Sequence, residues 1–385
     1  MKLFLVAGEP SGDALGAALM AGLRDLAPGV AFAGVGGPRM EAEGLRSLFP
    51  MQELSVMGLA EVLPRYPALR RRMIQTAEAV VAEEPAALIT IDSPDFGLRV
   101  ASRARKARPE LRTIHYVAPS VWAWRPGRAA KMARMIDHVL ALLPFEPPYM
   151  EAAGMTCDFV GHPIAATPAP DPGAVAAFRD THGLGEAPVI LALPGSRAGE
   201  VGRLGPVFGT TLMRVMPQLP GARVVVPTVP GVADAVRALV AGWPGDPLVV
   251  EAGRLPEAEL RAAFACGRAA LAASGTVSLD LAAAGVPMVI GYDAHPLTRT
   301  LLMPLLRVET VTLVNLVSET RAVPEFLGRA CRPDNLAPAL LALMADGPAR
   351  ATQTAAMALC MDRLGRGGAP PGERAAASVL ARLAQ

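Results

Sequence analysis

Short runs of consecutive apolar residues alternate along the chain with longer stretches in which apolar positions recur every three or four residues. In the first half the runs fall at 2–7, 30–34, 87–91 (ALITI), 112–116 (RTIHY), 138–142 (HVLAL) and 157–160 (CDFV). Helical spacing fits 12–25, 67–83, 95–107 and 126–134 between them. A strand apolar on both sides must be covered on both sides. The alternation therefore predicts an α/β protein with parallel sheets flanked by helices.

The pattern loosens over 161–188, where GHPIAATPAPDPG places four prolines between Pro163 and Pro172. This stretch reads as an interdomain linker. The alternation then restarts, with strands near 189–193, 222–227, 247–252, 269–274 and 287–292 and helices that include 201–216, 231–240, 256–265 and 277–284. Two doubly wound units facing each other across a cleft form the simplest assembly. The expected division is 1–165, a linker at 166–188, a second unit at 189–345 and a helical tail at 346–385.

Composition narrows the class. The 385 residues are 52 % hydrophobic and 19 % charged, which excludes a disordered chain. A net charge of +2, from 37 basic and 35 acidic residues, argues against a nucleic-acid partner. Cys157, Cys266, Cys331 and Cys360 are too scattered for a metal site and read as reduced structural thiols. MKLFLVAGEPSGD is too short in its apolar run for a signal peptide, and no run reaches the ~18 apolar residues of a membrane span. A cytoplasmic protein is expected, with surface attachment to a membrane left open.

In doubly wound sheets ligands sit beyond the carboxyl ends of the strands, so the strand exits carry the chemistry. VAGEPSGD (6–13) offers Glu9, Ser11 as an N-cap and Gly12 for close backbone approach. ITIDSPDF (89–96) puts Asp92 at the end of a central strand, where it can take a proton; Asp95 stands closer to the helix start and fits the cap. YVAPSVWAWRPGR (116–128) sets Trp122 and Trp124 beside Arg125 and Arg128, either a sugar or acyl contact surface or a packed loop with exposed charge.

LPGSR (193–197) breaks a buried strand with Pro194 and Gly195 and starts a helix near Ser196 to Glu200. Unpaired N–H groups there attract an anion, and the planar guanidinium of Arg197 suits phosphate oxygens. The same string also serves as a capped turn with Arg197 paired to Glu200. Ser274, Gly275 and Thr276 form a second such turn, and two of them in one unit suit a diphosphate. Asp280, one helical turn on, is placed either to accept from ribose hydroxyls or to face solvent near the helix start.

A different pattern fills VMGLAEVLPRYPALRRRMI (56–74). Met57, Leu59, Val62, Leu63, Leu69 and Met73 supply apolar area, while Arg65, Arg70, Arg71 and Arg72 supply charge. An apolar wedge with a basic cluster fits contact with an anionic membrane surface, broken here by Pro64 and Pro67 rather than forming one long helix. A core-packed helix with a charged rim is the alternative.

Taken in order, the strings VAGEPSGD, GVGGPRMEAEG, MGLAEVLPR, IDSPDF, HYVAPSVWAWR, LPFE, FVGHP, LPGSRAGEV and ASGT…AAAGVPMVIGY make the whole chain resemble the bacterial lipid-A-disaccharide synthases. The resemblance implies a two-domain GT-B fold. It implies an inverting glycosyl transfer of 2,3-diacylglucosamine from its UDP conjugate to 2,3-diacylglucosamine 1-phosphate, giving a β(1→6) disaccharide and UDP. Asp92 falls on that family's catalytic carboxylate. Arg197, Ser274, Gly275 and Thr276 fall on its UDP-phosphate region, and Gly195 and Ser196 of the PGSR turn are expected to cradle the diphosphate with them. Asn315 falls on a donor-site contact, Ser11 and Gly12 on the first turn beside Glu9, and Trp122, Trp124 and Arg125 on the cleft loop. The family typically has Glu at Asp280 and Pro at Val314. The resemblance further implies acylated glucosamine lipids as partners, a peripheral place on the cytoplasmic face of the inner membrane, and a dimer that exchanges its C-terminal tails. No Asp-x-Asp string lies near the sugar-nucleotide loops, so neither a metal nor another cofactor is expected, UDP being donor carrier and product.

Overall fold

The structure, a computed structural model, describes residues 1–54, 59–123, 127–293 and 308–385. Two compact units make up the chain: unit 1 is Met1–Ala166 with Gly367–Gln385, and unit 2 is Thr167–Arg366. Each has its own six-stranded sheet, and all the pairings are parallel.

Unit 1 holds β1 (Lys2–Ala7), β2 (Ala31–Val35), β3 (Ala87–Ile91), β4 (Arg112–Tyr116), β5 (His138–Ala141) and β6 (Thr156–Phe159), in spatial order β2-β1-β3-β4-β5-β6. Every residue of ALITI is buried, as expected of a central strand with helices on both faces. Phe4, Val6 and Leu88 pack to one side and Leu3, Leu5 and Ile89 to the other. The chain winds one way from β1 to β2 and then crosses to β3 on the far side of β1. This topological switch point opens a crevice between the carboxyl ends of β1 and β3.

Unit 2 holds β7 (Val189–Leu193), β8 (Arg223–Thr228), β9 (Leu248–Glu251), β10 (Ala269–Ala272), β11 (Met288–Tyr292) and β12 (Glu325–Leu327), ordered β12-β11-β10-β7-β8-β9. Its switch point lies between β7 and β10. Ile190, Phe208, Val226 and Leu271 centre one side of its core.

Three features differ from the sequence reading. The segment read as linker contains a helix, Pro172–Thr181, because Asp171 accepts from the N–H groups of Gly173 and Ala174 (3.1 and 3.2 Å) and Pro172 opens the first turn. A single helix, Leu59–Glu83, runs through Pro64 and Pro67 instead of breaking. Pro67 is exposed, so water can satisfy the carbonyl that its missing N–H leaves unpaired. The last 40 residues are divided between the units. The helix Pro348–Arg363 belongs to unit 2 and Pro371–Leu383 to unit 1.

That last helix packs on Pro10–Leu26 across small residues: a Cβ on Gly22 would come within 2.9 Å of the Gly372 carbonyl oxygen. Polar contacts fix its register. Ser378 Oγ donates to Asp158 (2.7 Å) and sits 2.9 Å from His138 Nε2, while Arg382 pairs with Asp158 at 3.0 Å.

Candidate active site

At the switch point of unit 1, Asp92 follows β3 directly and meets the helix that starts after β1. Ser11 Oγ donates to Asp92 Oδ2 at 2.9 Å, the Ser93 N–H donates to Oδ1 at 2.9 Å, and the Asp92 N–H donates to the Tyr116 carbonyl at 2.9 Å. Asp92 and Ser93 both take left-handed backbone angles, φ +51° and +39°. Such angles cost a non-glycine residue on the order of 1 kcal/mol, so the β3–β4 pairing and the Ser11 contact must hold them. Gly12 allows the close approach: a Cβ there would lie 3.2 Å from the Ile91 carbonyl oxygen. Glu9 joins the group, accepting from Ser93 Oγ at 3.3 Å.

The caps fall elsewhere than the sequence suggests. Glu9 occupies the N-cap position of Pro10–Leu26, and Ser11 is inside the first turn with its hydroxyl turned to Asp92. Ser93, not Asp95, precedes Pro94–Ala107, and Asp95 is exposed in the first turn. Because proline is favoured at the first helical position, each helix starts one or two residues earlier than its apolar spacing implies.

Two residues near this exit escaped the sequence reading. His115, buried on β4, shares a 2.7 Å hydrogen bond with Thr90, and burial pushes its pKa down to about 4 against the pull of the Asp92 charge. It is therefore neutral at pH 7. Glu146, in LPFE, is buried and accepts from Trp122 Nε1 (3.3 Å) and the Leu143 N–H (3.0 Å); burial pushes its carboxyl up to about 7. Trp122 also stands edge-on to Phe145, with ring centroids 5.2 Å apart. It belongs to a packed loop whose first residue, Val117, is held at φ +87°. Trp124 and Arg125 lie outside the described residues.

The switch point of unit 2 is built from glycine turns. Gly195 has φ +124°, and its lack of a side chain makes room for Glu200: a Cβ would lie 2.5 Å from Glu200 Cβ. Glu200 accepts from the Ser196 N–H (3.1 Å) and from Arg197 (2.9 Å), so the alternative pairing of Arg197 with Glu200 is formed. In the 18-residue helix Ala198–Val215 the Glu200 N–H is bonded to the Arg197 carbonyl, which leaves the Ala198 and Gly199 N–H groups as the first-turn donors. Across the switch point Gly275 sits at φ +153° with open space around it, and Thr276 precedes the helix Val277–Ala283. Asp280 is at the surface, yet its crowded carboxyl is pushed up to about 6. Asn315 is buried and spends its side chain on Val323, taking from its N–H and giving to its carbonyl, both at 2.9 Å.

Of the residues read as membrane contacts, Met57 lies outside the described residues, as do the side chains of Leu59, Val62 and Leu63. Arg65, Arg70 and Arg71 are exposed and Leu69 is half-buried. Arg72 is instead held by both carboxylate oxygens of Glu53 at 2.7 Å and lies 4.6 Å over the Phe49 ring. Met73 packs against the core of unit 1. Both face inward because the helix is continuous.

Comparison with known proteins decides what these exits belong to. The family model described as lipid-A-disaccharide synthetase matches residues 3–369. The chain belongs to this family. It is 62 % identical to the lipid-A-disaccharide synthase of Ruegeria pomeroyi, over 100 % of this chain and 96 % of that one. It is 50 % identical to that of Rhodospirillum centenum, over 99 % and 94 %. Among solved structures it resembles a putative UDP-N-acetylglucosamine 2-epimerase from Listeria monocytogenes (TM-score 0.64, 15 % identity, 99 % and 95 % covered). It also resembles the UDP-GlcNAc 2-epimerase from Neisseria meningitidis bound to UDP-GlcNAc (TM-score 0.62, 11 % identity, 100 % of both chains). At such identities the likeness concerns the fold, a two-domain GT-B-like α/β architecture. Family membership makes the chain a hexosyltransferase of lipid A biosynthesis. No helix among the described residues is long and apolar enough to cross a membrane.

Proposed function

We propose that this chain joins UDP-2,3-diacylglucosamine to 2,3-diacylglucosamine 1-phosphate through a β(1→6) bond and releases UDP. The observation that carries this reading is the 62 % identity over the full chain to a synthase of that name. Asp92 is the general base: the acceptor hydroxyl is a poor nucleophile until its proton is leaving, and a carboxylate within about 2.6–3.2 Å takes it. Ser11 and the Ser93 N–H orient the carboxylate, and neutral His115 beneath it adds no competing positive charge. In unit 2 the turns 194–197 and 274–276 receive the diphosphate. Arg197 exchanges Glu200 for phosphate oxygens, meeting the charge that grows on the leaving group. The scheme calls for no metal.

The same reading places the enzyme on the cytoplasmic face of the inner membrane through the exposed arginines of Leu59–Glu83. It also has two copies exchange the helix Pro371–Leu383, whose contacts with unit 1 a second chain would reproduce. Measuring UDP release with the donor alone, and with donor and acceptor together, tests the activity. Release must require both lipids. An epimerase would exchange the donor sugar without acceptor, and a lipid-binding protein would release no UDP. Light scattering at graded concentrations reads the dimer.

A further inference from the structure

Five cations of unit 1 line a single cavity against one carboxylate among the described residues, Asp95, which forms no ion pair with any of them. The cavity has a volume of about 950 Å³. Arg99, Arg103 and Lys106 recur at i, i+4 and i+7 of the helix Pro94–Ala107, hence on one face, and Arg128 and Lys131 come from the helix Gly127–Met132. Among the described residues none of the five has a side-chain hydrogen bond or an ion-pair partner. Neighbouring arginines outside the lining do: Arg105 pairs with Asp137 at 2.9 Å and Arg108 with Glu110 at 3.1 Å. The unpaired charge is therefore concentrated where there is room for a ligand. Five cations against the single carboxylate of Asp95 leave the basin strongly positive, a potential that favours an entering anion.

The floor is apolar, formed by Met73, Leu98, Met132 and Met135. A free inorganic anion needs the cations but not this floor, and a neutral lipid needs the floor but not the cations. Together they suit a phosphate carried on an amphiphile, with methionines adaptable to its chain. A second cavity of about 400 Å³ shares Met73, Pro94, Asp95 and Arg99 with the first. It continues past Leu69 and Phe96 to Glu9 and Ser93, beside Asp92. The basin thus adjoins a cavity lined by two neighbours of the proposed base, Glu9 and Ser93.

We propose that this basin binds the phosphate of an acylated phosphate ester. The glycosyl-transfer reading enters only in naming the acceptor as one source of that group; a bilayer phospholipid is the other.

The probe is dodecyl phosphate below its micellar concentration, titrated into the intact protein, with dodecyl maltoside as the chain without the charge. Wild type should bind the phosphate more tightly than the maltoside. The triple variant Arg103→Gln, Lys106→Gln, Lys131→Gln should bind the phosphate about tenfold or more weakly, with maltoside binding, melting temperature and UDP affinity unchanged. Arg103→Lys, which keeps the charge, should stay near wild type. Two further readouts identify the source. A raised acceptor KM in detergent assigns the basin to the acceptor, and reduced co-sedimentation with phosphatidylglycerol vesicles assigns it to the bilayer; either supports the site. A folded triple variant that binds dodecyl phosphate within twofold of wild type overturns it. The titration needs no turnover, so it stands apart from a failure of wild type to release UDP.

Discussion

The two switch points occupy equivalent places in similarly wound sheets and offer a ligand opposite things. In unit 2 the left-handed angles fall on Gly195 and Gly275, so the backbone turns without strain and presents N–H groups. In unit 1 they fall on Asp92, Ser93 and Val117, which keep side chains at an energetic cost. Glycine would relieve that strain, so the side chain is the part being positioned. One exit turns on glycines, the other holds a carboxylate in a strained turn.

Asp92→Asn tests this contrast hardest. Asn tolerates the left-handed region, so the turn survives while the proposed base is lost. Turnover should fall by about 10²–10⁴ with UDP affinity and melting temperature near wild type. Asn and Gln substitutions at Asp95 and Glu9 should cost far less. If Asp92→Asn keeps a tenth or more of the wild-type rate, proton removal belongs to another group and the strain at residue 92 serves only the loop.

In unit 1 burial also lifts one carboxyl of interest, that of Glu146. Its pKa stands near 7 in the fold against an ordinary 4.5. Between those values the native state holds more protons than the unfolded one. The contribution to stability is full below about pH 4.5 and lost as pH rises through 7. Glu146→Gln cannot titrate. The difference in unfolding free energy between wild type and variant should therefore move against wild type by up to roughly 3 kcal/mol from pH 4.5 to 8. Urea titrations at several pH values, with Trp122 fluorescence as a probe, measure it. A difference independent of pH would mean that Glu146 is ionised throughout, and that its hydrogen bonds outweigh its burial.

In unit 2 the expected effect is smaller. Arg197 is largely exposed and already engaged by Glu200, so its gain on binding phosphate is partly offset by the contact it gives up. Arg197→Ala should weaken UDP binding about tenfold, the lower end for hydrogen bonds to charged groups. Calorimetric titration decides: unchanged affinity would leave the pair with Glu200 as the whole role of Arg197.

How much of this was legible follows from which interactions are local. Strands buried on both faces, such as ALITI and VILAL, announce themselves by unbroken apolar runs, and the exits are then found by where those runs stop. Asp92 and Arg197 were readable on that basis. His115 was not, because one polar residue in a strand looks like a solvent-facing position until β3 brings Thr90 alongside. Glu146 was not legible either, because its partner Trp122 is 24 residues away. The pairing of Arg72 with Glu53 and the persistence of its helix through two prolines likewise depend on tertiary contacts. The five cations of the basin stand out only once the helices are placed and bring them to one cavity.

Pairing also distinguishes one arginine from the next. In unit 2, Arg214, Arg223, Arg237, Arg261 and Arg268 each face a carboxylate, so their fields are largely cancelled at short range. On the helix Leu59–Glu83 of unit 1, Arg71 is exposed and unpaired among the described residues, whereas Arg72, its neighbour, is bound to Glu53. If membrane attraction follows net local charge, the two should differ in stability and in whether removing a partner carboxylate restores binding, not in the single-variant loss. An arginine near an anionic surface is worth about 1 kcal/mol, so Arg71→Gln should weaken binding to phosphatidylglycerol vesicles roughly fivefold. Arg72→Gln should leave Glu53 uncompensated, lower the melting temperature and weaken vesicle binding by a similar factor, because it removes the positive half of a neutral pair. Neutralising both members, Arg72→Gln with Glu53→Gln, should then restore wild-type vesicle binding, and Arg261→Gln with Glu257→Gln in unit 2 should do nothing. Co-sedimentation at low and high salt reads all four. Were the Arg72 and Glu53 double variant as weak as Arg71→Gln, the pair would be opening at the membrane, and Arg72 would return to the contact face that its sequence position suggests.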